Sequence, residues 1–441
     1  MKFLRKSYYI NKYFNNKTII SFINGTIWNL LGALFSRGIL FFLTIVAARI
    51  LEVETFGKFG IIKSTVNTYV LFASFGLGIT ATKYVSEFFG TDNDKVQKII
   101  FLTKWFAILT SGFTFTLFLF FSGYISSNVL NAPEIKIELQ LASMILVIVA
   151  LNGVYSGVLI GLKKFKSLAI NNTIGGFLTF PLQVYFLYEW GLLGAILGLL
   201  IYYLFLLLLN IYSTNKQTKD FIKVKYNFSL VKPEFKIIKK FTVPVFLTNL
   251  LVTPIMWFGS IFLVNGVNGY SENAIFEGAK QINQLVIFIP FIISQITLPM
   301  LSSEKKNDSK FNEIMRLNLF VVGVSTFLIA FVLSIFSSHV MKIYGTFYEE
   351  GNLVLITMVF TAVFMGLTNI LGKVYASKDK MWLNFKLSIL WAVEFIILSH
   401  ILVKVYDLGA IGLAAAYFGS YTLHFIQSVI LLRTSKLLHE N

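Results

Sequence analysis

Residues 192–212 read LLGAILGLLIYYLFLLLLNIY, a run of 21 positions without a charged side chain. An α-helix needs about 20 mainly apolar residues to cross the hydrocarbon core of a bilayer. This run therefore predicts a transmembrane helix. Eleven further apolar segments bring the number of predicted spans to twelve: residues 24–50, 60–82, 101–125, 139–161, 168–188, 241–264, 275–299, 317–337, 351–372, 385–403 and 409–432.

The composition of the whole chain also indicates a polytopic membrane protein. Of its 441 residues, 56% are hydrophobic and only 13% are charged, and the mean hydropathy is +0.73. Soluble domains contain about 45–50% apolar and about 25% charged residues, so soluble globular and disordered classes are excluded. The longest polar stretch, residues 213–240, is too short for a fused ATPase domain. The basic N-terminus lacks the apolar core of a cleaved signal peptide.

We predict no metal site and no cofactor. The chain contains no cysteine, which excludes disulfides, thiolate metal ligands and cysteine nucleophiles. Its 4 histidines and its carboxylates show neither metal-ligand spacing nor a nucleophile–base arrangement. We therefore expect a protein that is not an enzyme.

The basic residues predict the orientation of the chain in the membrane. The N-terminal tail, the even-numbered connections and the C-terminal tail hold 30 of the 38 lysines and arginines, whereas the odd-numbered connections hold four. Cytoplasmic connections of membrane proteins are enriched in Lys and Arg. Both termini are therefore predicted to be cytoplasmic. The same rule explains the net charge of +17, so we expect no nucleic-acid binding.

The two halves of the chain match each other at a nearly constant offset. The match rests on Lys63 with Lys280 and Asn152 with Asn369 at an offset of 217 residues, and on residues 191–194 with 409–412 at an offset of 218. Because each half has an even number of spans, both halves run in the same direction. They are expected to form two lobes related by an axis along the membrane normal.

The predicted spans and the repeat give the domain organisation. Each lobe contains six spans, and the polar segments lie at the ends and between the lobes. The predicted parts are a basic cytoplasmic tail (1–23), an N-lobe (24–212), a cytoplasmic linker (213–240), a C-lobe (241–432) and a cytoplasmic tail (433–441).

Residues 47–60, AARILEVETFGKFG, carry a family resemblance. The stretch resembles the ARxLGxxxFGxF segment between the first two spans of polysaccharide-biosynthesis flippases of the Wzx type. These belong to the multidrug/oligosaccharidyl-lipid/polysaccharide (MOP) exporter superfamily. Val53 departs from the Pro or small residue that is common there. The resemblance implies an all-α fold of 12 transmembrane helices in two pseudo-symmetric six-helix bundles. These bundles would form a MATE-like V whose central cavity opens alternately to each side.

Polar residues of the first span are the first site candidates. Ser36 lies on a stripe of small and polar residues, and Arg37 lies at its edge. A charge inside the bilayer needs a partner or a water-filled setting. The guanidinium of arginine suits phosphate oxygens because it donates two parallel hydrogen bonds. The alternative for Ser36 is helix packing, which uses small and polar residues routinely.

Spans two and eight carry the other candidates for substrate binding. Lys63 and Asn67 share one helical face, and their repeat partners Lys280 and Gln284 share another with Gln281. Two equivalent lysines would make a positive cavity for an anionic substrate. The alternative for Lys280 is an ion pair with the residue three positions earlier in its helix. The alternative for Lys63 is snorkelling of its ammonium to the outer interface.

Two carboxylates within the spans are candidates for ion coupling. Glu277 shares the polar face of Lys280, whereas Glu394 in span eleven has no comparable polar face. Either could carry a coupling proton or Na⁺. His400 and His424 are weaker candidates, and Arg49 is expected to anchor its helix at the outer interface.

These features favour a flippase in the cytoplasmic (inner) membrane that moves an undecaprenyl-pyrophosphate-linked oligosaccharide by alternating access. The cargo would be the repeat unit of an O-antigen, capsule or exopolysaccharide. Expected partners are this lipid-linked oligosaccharide, membrane lipids and glycan assembly proteins. One alternative is a multidrug cation antiporter of the same superfamily. Another is a membrane glycan polymerase or ligase, against which the short outer connections argue.

Overall fold

The computed structural model describes residues 38–219, 231, 234–250, 252–303, 308–378 and 380–434. Within these ranges the chain is helical and contains no β-strand. Short π- and 3₁₀-helical turns extend several helices. We number the main helices α1 (Gly38–Ile50), α2 (Val53–Ser74), α3 (Leu77–Phe88), α4 (Asn93–Tyr124), α5 (Lys136–Gly161), α6 (Phe165–Thr218), α7 (Val243–Asn249), α8 (Thr253–Val264), α9 (Gly269–Ser303), α10 (Asp308–Ile335), α11 (Ser337–Lys342), α12 (Asn352–Ser377), α13 (Met381–Ser399) and α14 (Gly409–Thr434).

Apolar helices make this a multi-pass membrane protein. In the described ranges, seven helices are long and apolar enough to cross a membrane, judged by length and composition, and α1 and α8 are shorter apolar helices. The predicted all-α polytopic fold is confirmed. The count of twelve spans and the cytoplasmic position of both termini stay predictions. The seven helices are α4, α5, α6, α10, α12, α13 and α14 with their flanking turns.

Gly191 divides α6 into two helices. As one straight helix, its 54 residues would measure about 81 Å, far more than the bilayer core of about 30 Å. Gly191 instead has φ 52° and ψ −124°, a conformation that glycine adopts without a Cβ clash. Its repeat partner Gly409 has φ 55° at the start of α14. A glycine with positive φ therefore stands at equivalent positions of the two halves.

The predicted span 60–82 is not one continuous helix. The helix breaks between α2 and α3, where Phe75 has φ 48° and Gly76 has φ 71°. The Phe75 ring stacks on Phe246 with 4.3 Å between ring centroids, which helps to hold this strained residue in place. Residues before and after the break therefore belong to different helices, and the polar face of Lys63 does not continue into α3.

The predicted span 241–264 is also interrupted. It begins in a π-helical turn, continues as α7 and starts again as α8, with Pro254 in the first turn of α8. Proline suits that position because its missing N–H would have no helical partner there. One span predicted from hydropathy alone is thus two helical segments.

The first of two compact units has a polar cluster in its interior. Asn171 donates to Asn210 Oδ1 (2.8 Å), and Asn210 donates to Asn152 Oδ1 (2.7 Å) and Ser156 Oγ (3.2 Å). Amide groups paired in this way satisfy each other inside a membrane protein. The unit contains the described residues within Met1–Thr44, Tyr69–Phe120 and Gln140–Phe246.

The second compact unit has its own apolar core. Phe311, Leu371 and Tyr375 are buried there, and the Tyr375 hydroxyl donates to the carbonyl of Ser428 (2.6 Å). This unit carries the predicted lysines and carboxylates of α2, α9 and α13. It contains the described residues within Ile45–Thr68, Phe121–Leu139 and Leu247–Asn441. The division into lobes 24–212 and 241–432 stays a prediction.

Asn265 joins several helix connections within the second unit. Its side chain donates to Val129 O (2.9 Å) and accepts from Asn131 (2.8 Å), and its carbonyl accepts from Lys404 Nζ (2.8 Å). Tyr270 donates nearby to Leu130 O (2.7 Å). All these residues belong to connections that are predicted to face the outside.

Two cations add to this set of contacts. Lys58 bridges Glu54 and Glu134, each at 2.8 Å, and Arg49 Nε donates to Ile343 O (2.8 Å). Arg49 is exposed, and it binds another connection of the same unit. Together with the four hydrogen bonds around Asn265 and Tyr270, the Lys58–Glu134 and Arg49–Ile343 contacts form what we call the outer-face network.

Candidate functional site

The candidate site lies in the second unit, where α2 crosses α9. Asn273 of α9 donates its side-chain amide to the carbonyl of Gly57 in α2 (2.8 Å). A Cβ on Gly57 would lie 1.8 Å from the carbonyl oxygen of Tyr270, and a Cβ on Gly60 would lie 2.6 Å from Glu277 Cγ. Both distances are too short for a side chain. The two glycines therefore allow close approach of the helices that carry the repeated lysines.

Charged side chains meet next to this crossing. Lys280 Nζ lies 2.6 Å from Glu277 Oε1, and these side chains are only 20% and 11% exposed. Lys63, half-buried on α2, interacts electrostatically with both. The predicted alternative for Lys280, an ion pair with Glu277, is confirmed. Two lysines and one carboxylate interact here, so this group carries one net positive charge when all three are ionised.

The lysines have matching aromatic partners. Lys63 Nζ lies 5.4 Å from the ring centroid of Phe59, and Lys280 Nζ lies 5.8 Å from that of Phe276. Each aromatic residue precedes its lysine by four positions, and both pairs are related by the offset of 217. The equivalence read from the sequence thus extends to the surroundings of the two ammonium groups. Such cation–π contacts stabilise a partly desolvated lysine.

Two tyrosines near Glu277 were not predicted from the sequence. Tyr344 and Tyr417 both interact electrostatically with Glu277, and both hydroxyls are buried without a hydrogen-bond partner among the described residues. An unpaired buried hydroxyl is costly, so these groups are available to a ligand or to water. No sequence pattern indicates them, because Tyr344 lies in a predicted outer connection and Tyr417 in an apolar span.

The amides of the prediction lie further along the same helices. Asn67 and Gln284 are each four residues beyond a predicted lysine, and both are exposed, whereas Gln281 is half-buried. The structure does not join Asn67 to Gln284 by a hydrogen bond. Ser36 and Arg37 lie outside the described residues.

Glu394 lies in a different environment from Glu277. Gln427 of α14 donates a hydrogen bond to Glu394 Oε1, while Glu394 Oε2 is buried without a partner among the described residues. No lysine or arginine forms a salt bridge with Glu394 in the ranges that the structure describes. His400 is exposed and lies edge-on to Phe262. Glu394 and Glu277 therefore have different partners among the described residues.

The chemistry of the crossing suits an anion. Ammonium groups, the tyrosine hydroxyls and nearby amides all donate hydrogen bonds, and Glu277 is the carboxylate that forms an ion pair with Lys280. No group of three or more His, Cys, Asp or Glu side chains that could hold a metal ion occurs in the described ranges.

A family model for polysaccharide biosynthesis proteins matches residues 22–305 of the chain. Two curated relatives align along most of its length. An uncharacterized membrane protein of Methanocaldococcus jannaschii is 24% identical over 439 residues, covering 95% of this chain and 99% of that protein. The EPS I polysaccharide export inner membrane protein EpsE of Ralstonia nicotianae is 22% identical over 410 residues, covering 90% and 91%.

Solved structures show the same fold. An inward-facing multidrug resistance MATE family transporter of the MOP superfamily has a TM-score of 0.76 at 16% identity, covering 94% of this chain and 95% of its own. The lipid II flippase MurJ, in an inward closed conformation, has a TM-score of 0.73 at 18% identity, covering 93% and 89%. The predicted MATE-like fold is thereby confirmed. Because the family model matches well over half of the chain, the protein belongs to the polysaccharide biosynthesis protein family, which confirms the family resemblance read from residues 47–60.

Proposed function

We propose that the protein is a transporter that flips an undecaprenyl-pyrophosphate-linked oligosaccharide across the inner membrane. The cargo would be a repeat unit of an O-antigen, capsule or exopolysaccharide. The observation that carries the proposal is the pair of repeat-related lysines at the α2–α9 crossing: Lys280 forms an ion pair with Glu277, and Lys63 interacts electrostatically with both. The polysaccharide family and the similarity to a polysaccharide export protein support the glycan part of the cargo.

The cationic residues would bind the diphosphate of the headgroup. Lys63, Lys280 and Arg37 supply up to three positive charges, and arginine adds bidentate geometry. The sugars would be bound by the polar side chains around these cations, while the polyprenyl tail stays in the bilayer. We assign that second role to Ser36, Asn67, Gln281 and Gln284.

Glu277 would act as a competitor of the substrate. In the structure its Oε1 lies 2.6 Å from Lys280 Nζ and holds this ammonium group in an ion pair. A diphosphate that binds Lys280 must displace this carboxylate, and protonation of Glu277 would weaken its hold on the lysine. Proton uptake at Glu277 and diphosphate binding would therefore favour each other, which is a reciprocal coupling between the two. Na⁺ bound to the displaced carboxylate would have the same effect.

The charge of the spans distinguishes this proposal from a multidrug cation antiporter. A cationic drug would favour carboxylates in the membrane, but the predicted spans carry four basic residues and two acidic ones. The four are Arg37, Arg49, Lys63 and Lys280, and the two are Glu277 and Glu394. Alternating access, in which the site opens to each side of the membrane in turn, would serve either cargo.

The test is complementation of glycan display in a host that lacks its own flippase, with membrane levels of every variant quantified. We expect Arg37→Ala/Lys280→Ala to abolish display and the exposed-lysine control Lys386→Ala to leave it intact. Arg37→Lys should recover only part of the activity that Arg37→Ala loses, because lysine keeps the charge but loses the bidentate geometry. Full display by the Arg37→Ala/Lys280→Ala variant at normal abundance would disprove the cationic site. Resistance to cationic drugs without glycan display would identify a drug antiporter instead.

A further inference from the structure

A second polar site lies within the second unit, away from the α2–α9 crossing. It is a cavity of about 480 Å³ between α9, α12, α13 and α14. Its volume falls in the range of about 300–1,000 Å³ that is typical of small-molecule sites. It extends from Pro290 and His424 to Lys373 and Met381, beside the turn between α12 and α13. None of its lining residues belongs to the candidate site.

The lining of this cavity has the chemistry of an anion site. Lys373 supplies a positive charge, Asn369 and Asn384 supply amides, and Tyr421 supplies a hydroxyl. The Ser388 hydroxyl also lines the cavity, but it donates to the Asn384 carbonyl (3.0 Å). Nothing that lines the cavity is an Asp or Glu. No salt bridge to Lys373 occurs in the described ranges. A half-buried lysine without a carboxylate partner favours an external anion.

His424 gives a second, independent indication of a ligand. It lines the cavity, and its Nδ1 is buried without a hydrogen-bond partner within the described part of the chain. Buried polar atoms are nearly always paired, so an unpaired one at a cavity wall needs a partner from outside the protein.

The residues that line this cavity have repeat partners in the first half of the chain, and those partners have different surroundings. At the offset of 217, Asn369, Lys373 and Ser388 correspond to Asn152, Ser156 and Asn171. Those three residues of the first unit belong to the hydrogen-bonded cluster around Asn210. The equivalent positions of the second unit instead line an open cavity and include a charge. The first half pairs these polar groups with one another, whereas in the second half the Ser388 hydroxyl donates to the Asn384 carbonyl and Asn369 and Lys373 line the cavity.

We propose that this cavity binds a phosphate-bearing anion, with Lys373 as the charged ligand and with Asn369 and Asn384 as hydrogen-bond donors. The anion would be either the headgroup of an anionic phospholipid or a soluble phosphate compound. Both present the same oxygens to the same residues. The proposal does not depend on the transported substrate, because it uses none of the residues assigned to transport.

The experiment uses the purified full-length protein and three probes: inorganic phosphate, pyrophosphate and phosphatidylglycerol. Radiolabelled phosphate and pyrophosphate are measured by equilibrium binding in detergent. Phosphatidylglycerol is measured by native mass spectrometry after release from nanodiscs, against phosphatidylcholine as the control lipid. Retention of phosphatidylglycerol alone identifies a lipid headgroup, and binding of a soluble probe identifies a phosphate compound.

Three variants test the role of Lys373. Lys373→Met should weaken binding at least about tenfold, because a hydrogen bond to a charged group contributes that much or more. Lys373→Arg should retain binding, and Lys380→Met, an exposed lysine beside the same turn, should bind like the wild type. If Lys373→Met does not fold, Asn384→Leu is expected to weaken binding as well. The proposal is overturned if the wild type binds none of the probes, or if the cavity variants bind as tightly as Lys380→Met.

Discussion

The side-chain amide of Asn273 donates a hydrogen bond of 2.8 Å to the main-chain carbonyl of Gly57. A side chain of a neighbouring helix reaches a main-chain carbonyl in this way only where the residues at the contact are small enough for the helices to come close. Gly57 has no Cβ, and three positions later Gly60 also faces α9 without a side chain. The contact therefore fixes the distance and the register between the two helices that carry Lys63 and Lys280.

Gly57→Ala should destabilise the protein and abolish transport. The added Cβ would lie 1.8 Å from the Tyr270 carbonyl oxygen, which is main chain and cannot move without shifting α9. Overpacking typically costs about 1–3 kcal/mol. The matched control is Gly112→Ala, because a Cβ there meets nothing within 4 Å and alanine favours the helix. Thermal unfolding in detergent and glycan display measure the two effects. Equal behaviour of the two variants would contradict the close crossing.

Lys63→Ala and Lys280→Ala should each reduce transport, and their effects should not add. If both lysines bind one diphosphate and share Glu277, removing the second after the first loses less than removing it alone. Initial rates of lipid flipping in proteoliposomes, converted to free energies, give the coupling between the two sites. Additive free energies would mean that the lysines act independently.

Glu277→Gln should impair transport more than Glu394→Gln. Glu277 forms an ion pair with Lys280 at 2.6 Å, and a neutral glutamine cannot replace its charge. Glu394 instead accepts a hydrogen bond from neutral Gln427, which a glutamine side-chain oxygen can also accept. We expect at least a tenfold loss for Glu277→Gln and a smaller one for Glu394→Gln, at matched expression. Equal losses would remove the ranking of the two coupling candidates.

The predicted orientation can be measured with single cysteines, because the natural chain has none. A cysteine in place of Ser229, in the predicted cytoplasmic linker and outside the described residues, should resist an impermeant thiol reagent added to intact cells. A cysteine in place of Val267, which is exposed in a predicted outer connection, should react. Reaction at position 229 in intact cells would overturn the orientation.

Cross-linking of Asn131→Cys to Asn265→Cys should stop transport. The two asparagine side chains are hydrogen-bonded at 2.8 Å, and both belong to the outer-face network. A cross-linker of a few ångströms between the cysteines would keep these connections together. Either single variant treated with the same reagent is the control, and a cleavable cross-linker allows recovery. Undiminished transport by the fully cross-linked protein would show that these connections do not separate during the cycle.

Much of the candidate site was predictable because it depends on local spacing. Lys63 and Lys280 were paired by a constant offset, and the ion pair of Lys280 with Glu277 follows from the geometry of one helix. Their aromatic partners obey the same spacing. The hydrogen bond from Asn273 to Gly57 joins residues far apart in sequence, so no local pattern indicates it.

The features that escaped prediction are tertiary. Phe75 takes a positive φ where its ring stacks on Phe246, 171 positions later, so hydropathy predicted a continuous helix there. The cavity around Lys373 depends on volume left between four helices, which a list of spans does not contain. Among the residues of this cavity, only Asn369 is matched across the halves from the sequence, with Asn152. The different roles of these two residues appear once their neighbours are located.

The outer-face network also limits how often that side of the protein can open. Its six contacts are mostly solvent-exposed and contribute about 0.2–1 kcal/mol each, so an opening that breaks them all costs about 1–6 kcal/mol. Each 1.36 kcal/mol is a factor of ten in rate. Opening would then be slower by about one to four orders of magnitude than in a protein without these contacts. A cargo that is flipped once for each repeat unit added to a polymer suits such a slow cycle.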